Sequence, residues 1–194
     1  YGLKVTFIDY PLAPEHTYEK THEIVMKAYR EITIKNYGDE FYLFGDSAGG
    51  GLALAVLQIL RDEKIIPFPK KTVLMSPWVD LTMSNPAERD PLLTMDCLYH
   101  AAERYIGNGD AKNAVLSPIF GRMDNLGKIF LLTGTHEILN PDCRKLKTKL
   151  MAAYGTELEF YEGEKMVHDW ILATPFYLEA FKAIEMVGEF YVNG

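Results

Sequence analysis

The feature that most constrains the fold is a glycine-flanked serine between two different apolar patterns. The short apolar run Phe41–Phe44 is followed by Gly-Asp-Ser-Ala-Gly at 45–49 and then by the longer apolar run Leu52–Leu60. The first run is typical of a buried strand and the second of a helix. A serine on so tight a strand-to-helix turn occupies a sparsely populated backbone conformation. The pattern therefore predicts a βα unit with Ser47 at the carboxyl end of a strand.

The same turn predicts that Ser47 is a nucleophile. Its hydroxyl would project from the sheet edge, and the N–H of Ala48 at the helix start could face a developing oxyanion. We expect Gly45 and Gly49 to be needed because strand and helix crowd together there. The alternative is an ordinary glycine-rich turn that cradles a phosphate, but the sequence contains neither Gly-x-Gly-x-x-Gly nor a lysine-bearing phosphate loop.

Short apolar runs alternate with helical patterns along the chain. Five strands are predicted, at Val5–Asp9, Phe41–Phe44, Thr72–Met75, Ile129–Thr133 and Leu158–Tyr161. Helical spacing lies between them, for example at Ile24, Ala28 and Ile32, and at Tyr177, Phe181, Ile184, Gly188 and Tyr191. Such alternation predicts an α/β fold with a mostly parallel sheet and helices on both faces. With 194 residues, one domain over 1–194 is expected.

One interval, residues 83–116, contains no strand pattern and is predicted to be a helical cap insertion. Asp90-Pro91 is a suitable cap and first helical residue for a helix through Leu98, Ala102 and Ile106.

A serine nucleophile needs a base, and five histidines compete for that role. We expect surface or packing roles for His16, His22 and His100. His136 stays a candidate, but His168 is favoured because it follows the last predicted strand, in the chain order serine, acid, histidine.

The third group should be a carboxylate just after the preceding strand, where it can hold the imidazole tautomer. Glu137 is placed in that way. Asp142 is the alternative acid, although it follows Asn140-Pro141 and so fits the first turn of a helix, where the dipole alone explains a carboxylate. We expect Asp169 to point away because it is adjacent to His168.

Charge and composition exclude several classes of partner. The formal net charge of −7 disfavours nucleic acid and anionic lipid surfaces. The longest apolar stretch, Leu52–Leu60, is far shorter than the about 20 residues that span a bilayer. Two cysteines, Cys97 and Cys143, cannot form a disulfide framework, and we expect a cytoplasmic location. Because the chain opens on Tyr1 without a methionine, we expect it to be a fragment.

Several separate segments resemble one family. The segment at 9–16, Asp-Tyr-Pro-Leu-Ala-Pro-Glu-His, the nucleophile motif at 45–50 and the stretch Ser-Pro-Trp-Val-Asp-Leu-Thr at 76–82 are similar to motifs of the hormone-sensitive-lipase-like carboxylesterases, which have the α/β-hydrolase fold. Glu137 and His168 fall where that family has its acid and its histidine. The resemblance spans most of the chain.

The sequence departs from this family in three places. Glu137 stands where aspartate is usual, and Pro11 replaces an arginine. The third departure is the absence of the upstream His-Gly-Gly-Gly segment, whose N–H groups complete the oxyanion hole in the family. We therefore expect an α/β-hydrolase domain truncated at its amino terminus, and the resemblance leaves open whether this chain alone is active.

The sequence thus predicts a carboxylic ester hydrolase that forms an acyl-enzyme on Ser47 and uses neither a metal nor an organic cofactor. The resemblance implies small-molecule esters of short to medium acyl length. The apolar side chains of the cap insertion either wall an apolar pocket or only pack its helix, and the residues concerned are Leu92, Leu93, Met95, Leu98 and Tyr99. Two alternatives stay open. One is a peptidase or amidase of the same fold. The other is a non-catalytic interaction module, including a homo-oligomer that pairs through an exposed sheet edge.

Overall fold

The computed structural model describes residues 1–87 and 90–193, and its centre is a parallel sheet of four strands. The strands are β1 (Tyr42–Asp46), β2 (Lys71–Met75), β3 (Gly127–Gly134) and β4 (Thr156–Gly163), and they lie in the order β1-β2-β3-β4. All three neighbouring pairs are parallel. Their carboxyl ends therefore meet at one edge of the sheet, which confirms the predicted α/β class.

Five α-helices connect or flank these strands: α1 (Tyr18–Lys35), α2 (Ser47–Asp62), α3 (Met95–Ile106), α4 (Asn140–Met151) and α5 (Leu178–Val192). Two short 3₁₀ helices occupy Pro118–Phe120 and Trp170–Ala173. Within the residues described, no helix combines the length and the apolar character needed to cross a bilayer.

The two central strands, β2 and β3, are buried on both faces. On one face, Leu74 and Leu131 pack with Leu57 of α2 and Leu146 of α4 in a first apolar core. Their alternating neighbours point the other way. Val73, Met75, Phe130 and Leu132 pack with Ala183, Val187 and Phe190 of α5 in a second core. The predicted placement of helices on both faces is confirmed, since successive strand residues serve opposite sides.

The fifth predicted strand, Val5–Asp9, is wrong. This segment has no regular secondary structure and pairs with none of the four strands. Its side chains are largely exposed, with Val5 at 69% and Phe7 at 92%. An alternating apolar pattern gives a segment the propensity for a strand, but a strand also needs a neighbour for its N–H and C=O groups.

Residues 83–116 contain one helix, as predicted, but it begins later than expected; residues 88 and 89 of the interval lie outside the described residues. The helix starts at Met95 behind Thr94, whose side chain accepts the N–H of Cys97. Asp90 instead binds the N–H groups of Leu92 and Leu93 through one oxygen and that of Ile138 through the other. Asp90 therefore anchors the insertion to the loop after β3 rather than capping a helix.

The exposed side of α5 differs from the prediction. Phe181 and Ile184 are exposed at 44% and 39%, whereas Ala183 and Val187 face the sheet. Ala180 and Ala183 let the first half of the helix approach the sheet closely, and the buried rings of Phe190 and Tyr191 complete the same core near its end.

Candidate active site

The turn that follows β1 has the strained geometry that its sequence predicts. Ser47 has a φ of 50°, in the left-handed region that non-glycine residues seldom occupy. Its carbonyl oxygen accepts the N–H of Trp78 at 2.8 Å, which ties the turn to the segment after β2. Because helix α2 begins at Ser47, the N–H of Ala48 is among the first four amides, which lack a partner within the helix.

Of the two glycines expected to be needed around this serine, the structure confirms Gly45 and contradicts Gly49. A Cβ on Gly45 would clash with the carbonyl oxygen of Gly49, and a Cβ on Gly51 would clash with that of Trp78. At Gly49 a Cβ would come no closer than 3.8 Å to the atoms of neighbouring elements. The close approach of α2 to β1 and to the segment after β2 therefore requires Gly45 and Gly51. It does not require Gly49, so that part of the prediction is wrong.

The loop after β4 brings His168 to Ser47. The imidazole is buried, and its Nε2 lies 2.8 Å from Oγ of Ser47, although 121 residues separate the two in the chain. His16, His100 and His136 are exposed, and His22 is buried in α1. Of the candidate bases, His168 is the one that the structure brings to the serine.

Glu137 approaches the other side of the imidazole. Its Oε2 lies 3.5 Å from Nδ1 of His168, which is longer than a well-formed hydrogen bond. The carboxylate is fully buried and accepts hydrogen bonds from the hydroxyls of Ser76, at 2.6 Å, and Thr133, at 2.5 Å. These two hydroxyls fix the carboxylate beside the ring, as an orienting acid requires.

The alternative acid, Asp142, lies elsewhere. It occupies the first turn of α4, as predicted, and its Oδ1 is 3.5 Å from Nδ2 of Asn85. Burial and the nearby negative charge of Asp80 raise the pKa of Asp142 to about 6. Of the two candidate carboxylates, only Glu137 forms an ion pair with His168 among the described residues.

A third carboxylate, unexpected from the sequence, also touches the histidine. Oδ2 of Asp169 lies 3.1 Å from Nε2 of His168, on the serine side of the ring. Burial of the ring opposes its charged form, but contacts with Asp169 and Glu137 and their negative charges outweigh burial and raise the pKa of His168 to about 9. The expectation that Asp169 points away is wrong.

Sequence reasoning missed three residues of this site: Ser76, Thr133 and Asp169. Ser76 follows the interior strand β2 with a φ of 42°, and its Oγ also lies 3.4 Å from the backbone N of Asp169. A sequence signal for Ser76 existed, because it directly follows the predicted strand Thr72–Met75 and so lies at the same edge of a parallel sheet as Ser47. Among the described residues, no group of three or more His, Cys, Asp or Glu side chains is arranged to hold a metal ion.

The parallel sheet with a strained serine turn at its carboxyl edge agrees with comparison to known proteins. A family model described as an alpha/beta hydrolase fold matches residues 1–172. The chain therefore belongs to the α/β-hydrolase family. Within that family, its similarity is to the hormone-sensitive-lipase-like carboxylesterases, as the following relatives show.

An acetyl-hydrolase from Streptomyces hygroscopicus is 34% identical over 97% of this chain, which spans 64% of that relative's length. An esterase from the bacterial hormone-sensitive lipase family is 31% identical with a TM-score of 0.86, over 94% of this chain and 63% of its own. EstE5, whose crystal was soaked with p-nitrophenyl butyrate, is 35% identical in sequence, with a TM-score of 0.86 over 94% of this chain and 63% of EstE5. The chain thus spans just under two thirds of each relative.

Proposed function

We propose that this protein hydrolyses carboxylic esters through an acyl-enzyme on Ser47. The observation that carries the proposal is the 2.8 Å approach of Nε2 of His168 to Oγ of a serine held at positive φ. A serine hydroxyl is a weak nucleophile until a base within hydrogen-bond reach takes its proton. A strained backbone turn and a histidine within hydrogen-bond reach therefore occur together at Ser47.

Each group then has one task. Ser47 attacks the ester carbonyl while His168 takes the hydroxyl proton, and His168 later gives that proton to the leaving alcohol. Glu137 orients the ring and stabilises its charged form, and Ser76 and Thr133 hold Glu137. The N–H of Ala48 contributes to the oxyanion hole, where one donor is worth about 10²–10³ in turnover. A water molecule then attacks the acyl-enzyme in the same way, with His168 taking its proton, and the carboxylic acid product is released from Ser47.

Esters of short acyl chains are the proposed substrates. Support comes from the names of relatives, one an acetyl-hydrolase and another soaked with a butyrate ester. Of the apolar side chains of the insertion at 83–116, Leu98 is buried in a core cluster with Trp78 and Leu81, where it packs the helix. Leu92 and Tyr99, by contrast, are exposed.

The test is the intact mass of the protein before and after a fluorophosphonate probe. One adduct is expected, and Ser47→Ala should abolish it because the attacking oxygen is gone. Ser84→Ala is the matched control, since Ser84 Oγ binds Asp80 and lies outside the site. Absence of an adduct on the folded chain, or an adduct that persists in Ser47→Ala, would contradict the proposal.

Substrate class is tested on p-nitrophenyl esters from acetate to palmitate, with p-nitroacetanilide as the matching amide. We expect the highest kcat/KM at acetate or butyrate. Efficiency that rises steadily to palmitate would refute the short-acyl assignment, and faster cleavage of the anilide would indicate an amidase instead.

A further inference from the structure

Asp169 and Ser47 compete for the same nitrogen. Nε2 of His168 is 2.8 Å from the serine Oγ and 3.1 Å from Oδ2 of Asp169. A ring protonated only on Nδ1 would present a lone pair to both oxygens. That lone pair suits the hydroxyl of Ser47, which donates to it, but repels a carboxylate. A proton on Nε2 suits Asp169 and leaves the ring unable to accept the proton of Ser47.

The backbone holds Asp169 in this position. Asp169 has φ 51° and ψ 33°, a left-handed conformation in which aspartate, asparagine and glycine are enriched. It precedes the 3₁₀ helix Trp170–Ala173, and its N–H lies 3.4 Å from Oγ of Ser76. The Oδ1 atom is buried without a hydrogen-bond partner among the described residues. The carboxylate is thus turned inward, and in the part of the chain that the structure describes its polar contact is the imidazole.

The charges around the ring all have the same sign. Glu137 faces Nδ1, Asp169 faces Nε2, and Asp46 at the end of β1 interacts electrostatically with both Asp169 and His168. Within residues 1–87 and 90–193, none of these three carboxylates forms an ion pair with a lysine or an arginine. The protonated imidazole of His168 is therefore the cation that lies next to these carboxylates. Their contacts and negative charges raise the pKa of His168 to about 9.

We propose that Asp169 is a positioning residue that retains a proton on Nε2 of His168 and so moves the reaction of Ser47 to higher pH. This inference rests on the proposed role of His168 as the base. Deprotonation releases the Nε2 proton to solvent, and the freed lone pair then accepts the proton of Ser47. Above that pH, the same carboxylate makes His168 a stronger base, because it stabilises the imidazolium formed as Ser47 attacks.

Asp169→Asn tests the proposal, because it removes the charge and keeps both the side-chain shape and the left-handed backbone. The second-order rate of fluorophosphonate labelling is measured from about pH 6 to about pH 10 on the whole chain. We expect the acid limb to move down by about one pH unit or more. The rate at pH 7 should rise about threefold, as tenfold more neutral imidazole is partly offset by its weaker basicity. The alkaline plateau should fall, so that the two profiles cross.

Glycine also adopts positive φ readily, so Asp169→Gly should move the acid limb of the labelling profile down by the same amount. Glu164→Gln is the charge-matched control, because Glu164 lies exposed on the same loop, and its profile should equal that of the wild type. Profiles of Asp169→Asn and Asp169→Gly that coincide with the wild type would overturn the proposal. So would a loss of labelling at every pH in both folded variants, since that would make Asp169 essential to attack.

An NMR titration of the His168 ring, assigned by comparison with His168→Gln, separates this proposal from the esterase proposal. It needs no reaction at Ser47. If the wild type fails to label but the ring still titrates one unit lower in Asp169→Asn, the proposed function fails and the proton-retaining contact stands. An unchanged ring titration in a protein that labels normally would remove the role of Asp169 alone.

Discussion

Two buried threonines on neighbouring strands allow the hydrogen bond to the Glu137 carboxylate to be measured as a free energy. Thr133 on β3 donates to Oε1 of Glu137 at 2.5 Å, whereas Oγ1 of Thr72 on β2 has no hydrogen-bond partner among the described residues. Both side chains are fully buried. Replacement by valine keeps their shape and exchanges the hydroxyl for a methyl group. At Thr133 it removes the hydrogen bond to Glu137 and a longer contact, 3.5 Å, that Oγ1 accepts from Nδ2 of Asn140, whereas at Thr72 it removes no hydrogen bond found among the described residues.

The expected changes have opposite signs. A hydrogen bond to a charged group contributes about 1.5–3 kcal/mol, so Thr133→Val should lower the free energy of unfolding by about 2 kcal/mol. For a chain of this length that is a drop of about 4–8 °C in Tm. Thr72→Val removes a buried hydroxyl that lacks a partner, and should leave the free energy of unfolding unchanged or raise it by about 1 kcal/mol.

The assay is urea unfolding of the wild type and both variants, followed by fluorescence and analysed by linear extrapolation with a shared slope. The difference between the variants should be about 2–3 kcal/mol. If Thr133→Val lost less than about 0.5 kcal/mol, or if both variants lost the same amount, the hydroxyl would not stabilise the carboxylate and the argument would fail.

Three further predictions concern the acid, the turn and pH. Glu137→Gln should lower the labelling rate of Ser47 by about 10²–10⁴, while Asp142→Asn should leave it within about twofold; the reverse result would exchange their roles. Gly51→Ala should cost about 1–3 kcal/mol in urea unfolding, because its Cβ meets the Trp78 carbonyl, whereas Gly49→Ala should cost nothing; equal losses would contradict the packing argument. The pKa of Asp142 is raised to about 6 in the folded protein, above its unfolded value of about 4. The unfolded chain therefore loses this proton first, and the free energy of unfolding falls as pH rises from about 4 to about 6. Asp142→Asn should therefore stabilise at pH 8, with a gain that shrinks below pH 6; a gain independent of pH would refute this linkage.

Hydrophobic periodicity predicted the secondary-structure elements whose formation depends mainly on their own local sequence. Four strands and the helices between them follow from local patterns, but Val5–Asp9 has the same pattern and is not a strand. Whether an apolar run becomes a strand depends on a neighbouring backbone, and no local pattern contains that information. For α5, the spacing predicted the helix but not which side faces the sheet, because apolar residues lie on more than one side: Tyr191 is buried against the sheet, whereas Phe181 and Ile184 are exposed.

The candidate site divides in the same way. Ser47, Glu137 and His168 could be placed from the strands that precede them, because parallel strands end at one edge. The sequence alone left Asp142 open, since both carboxylates follow β3 within a few residues and only the course of the loop separates them. Ser76 and Asp169 were missed because their contacts depend on strand order and on left-handed turns that hydropathy does not encode.

The contact between Ser47 and His168 joins two ends of the domain, because the serine follows β1 and the histidine follows β4, the two outer strands of the sheet. A chain in which only one half had folded would have the serine turn but no imidazole beside it. The rate of labelling at Ser47 is therefore a reporter of cooperative assembly across all four strands. Followed during refolding, it would register the last docking event of the sheet, which circular dichroism would not distinguish from earlier helix formation.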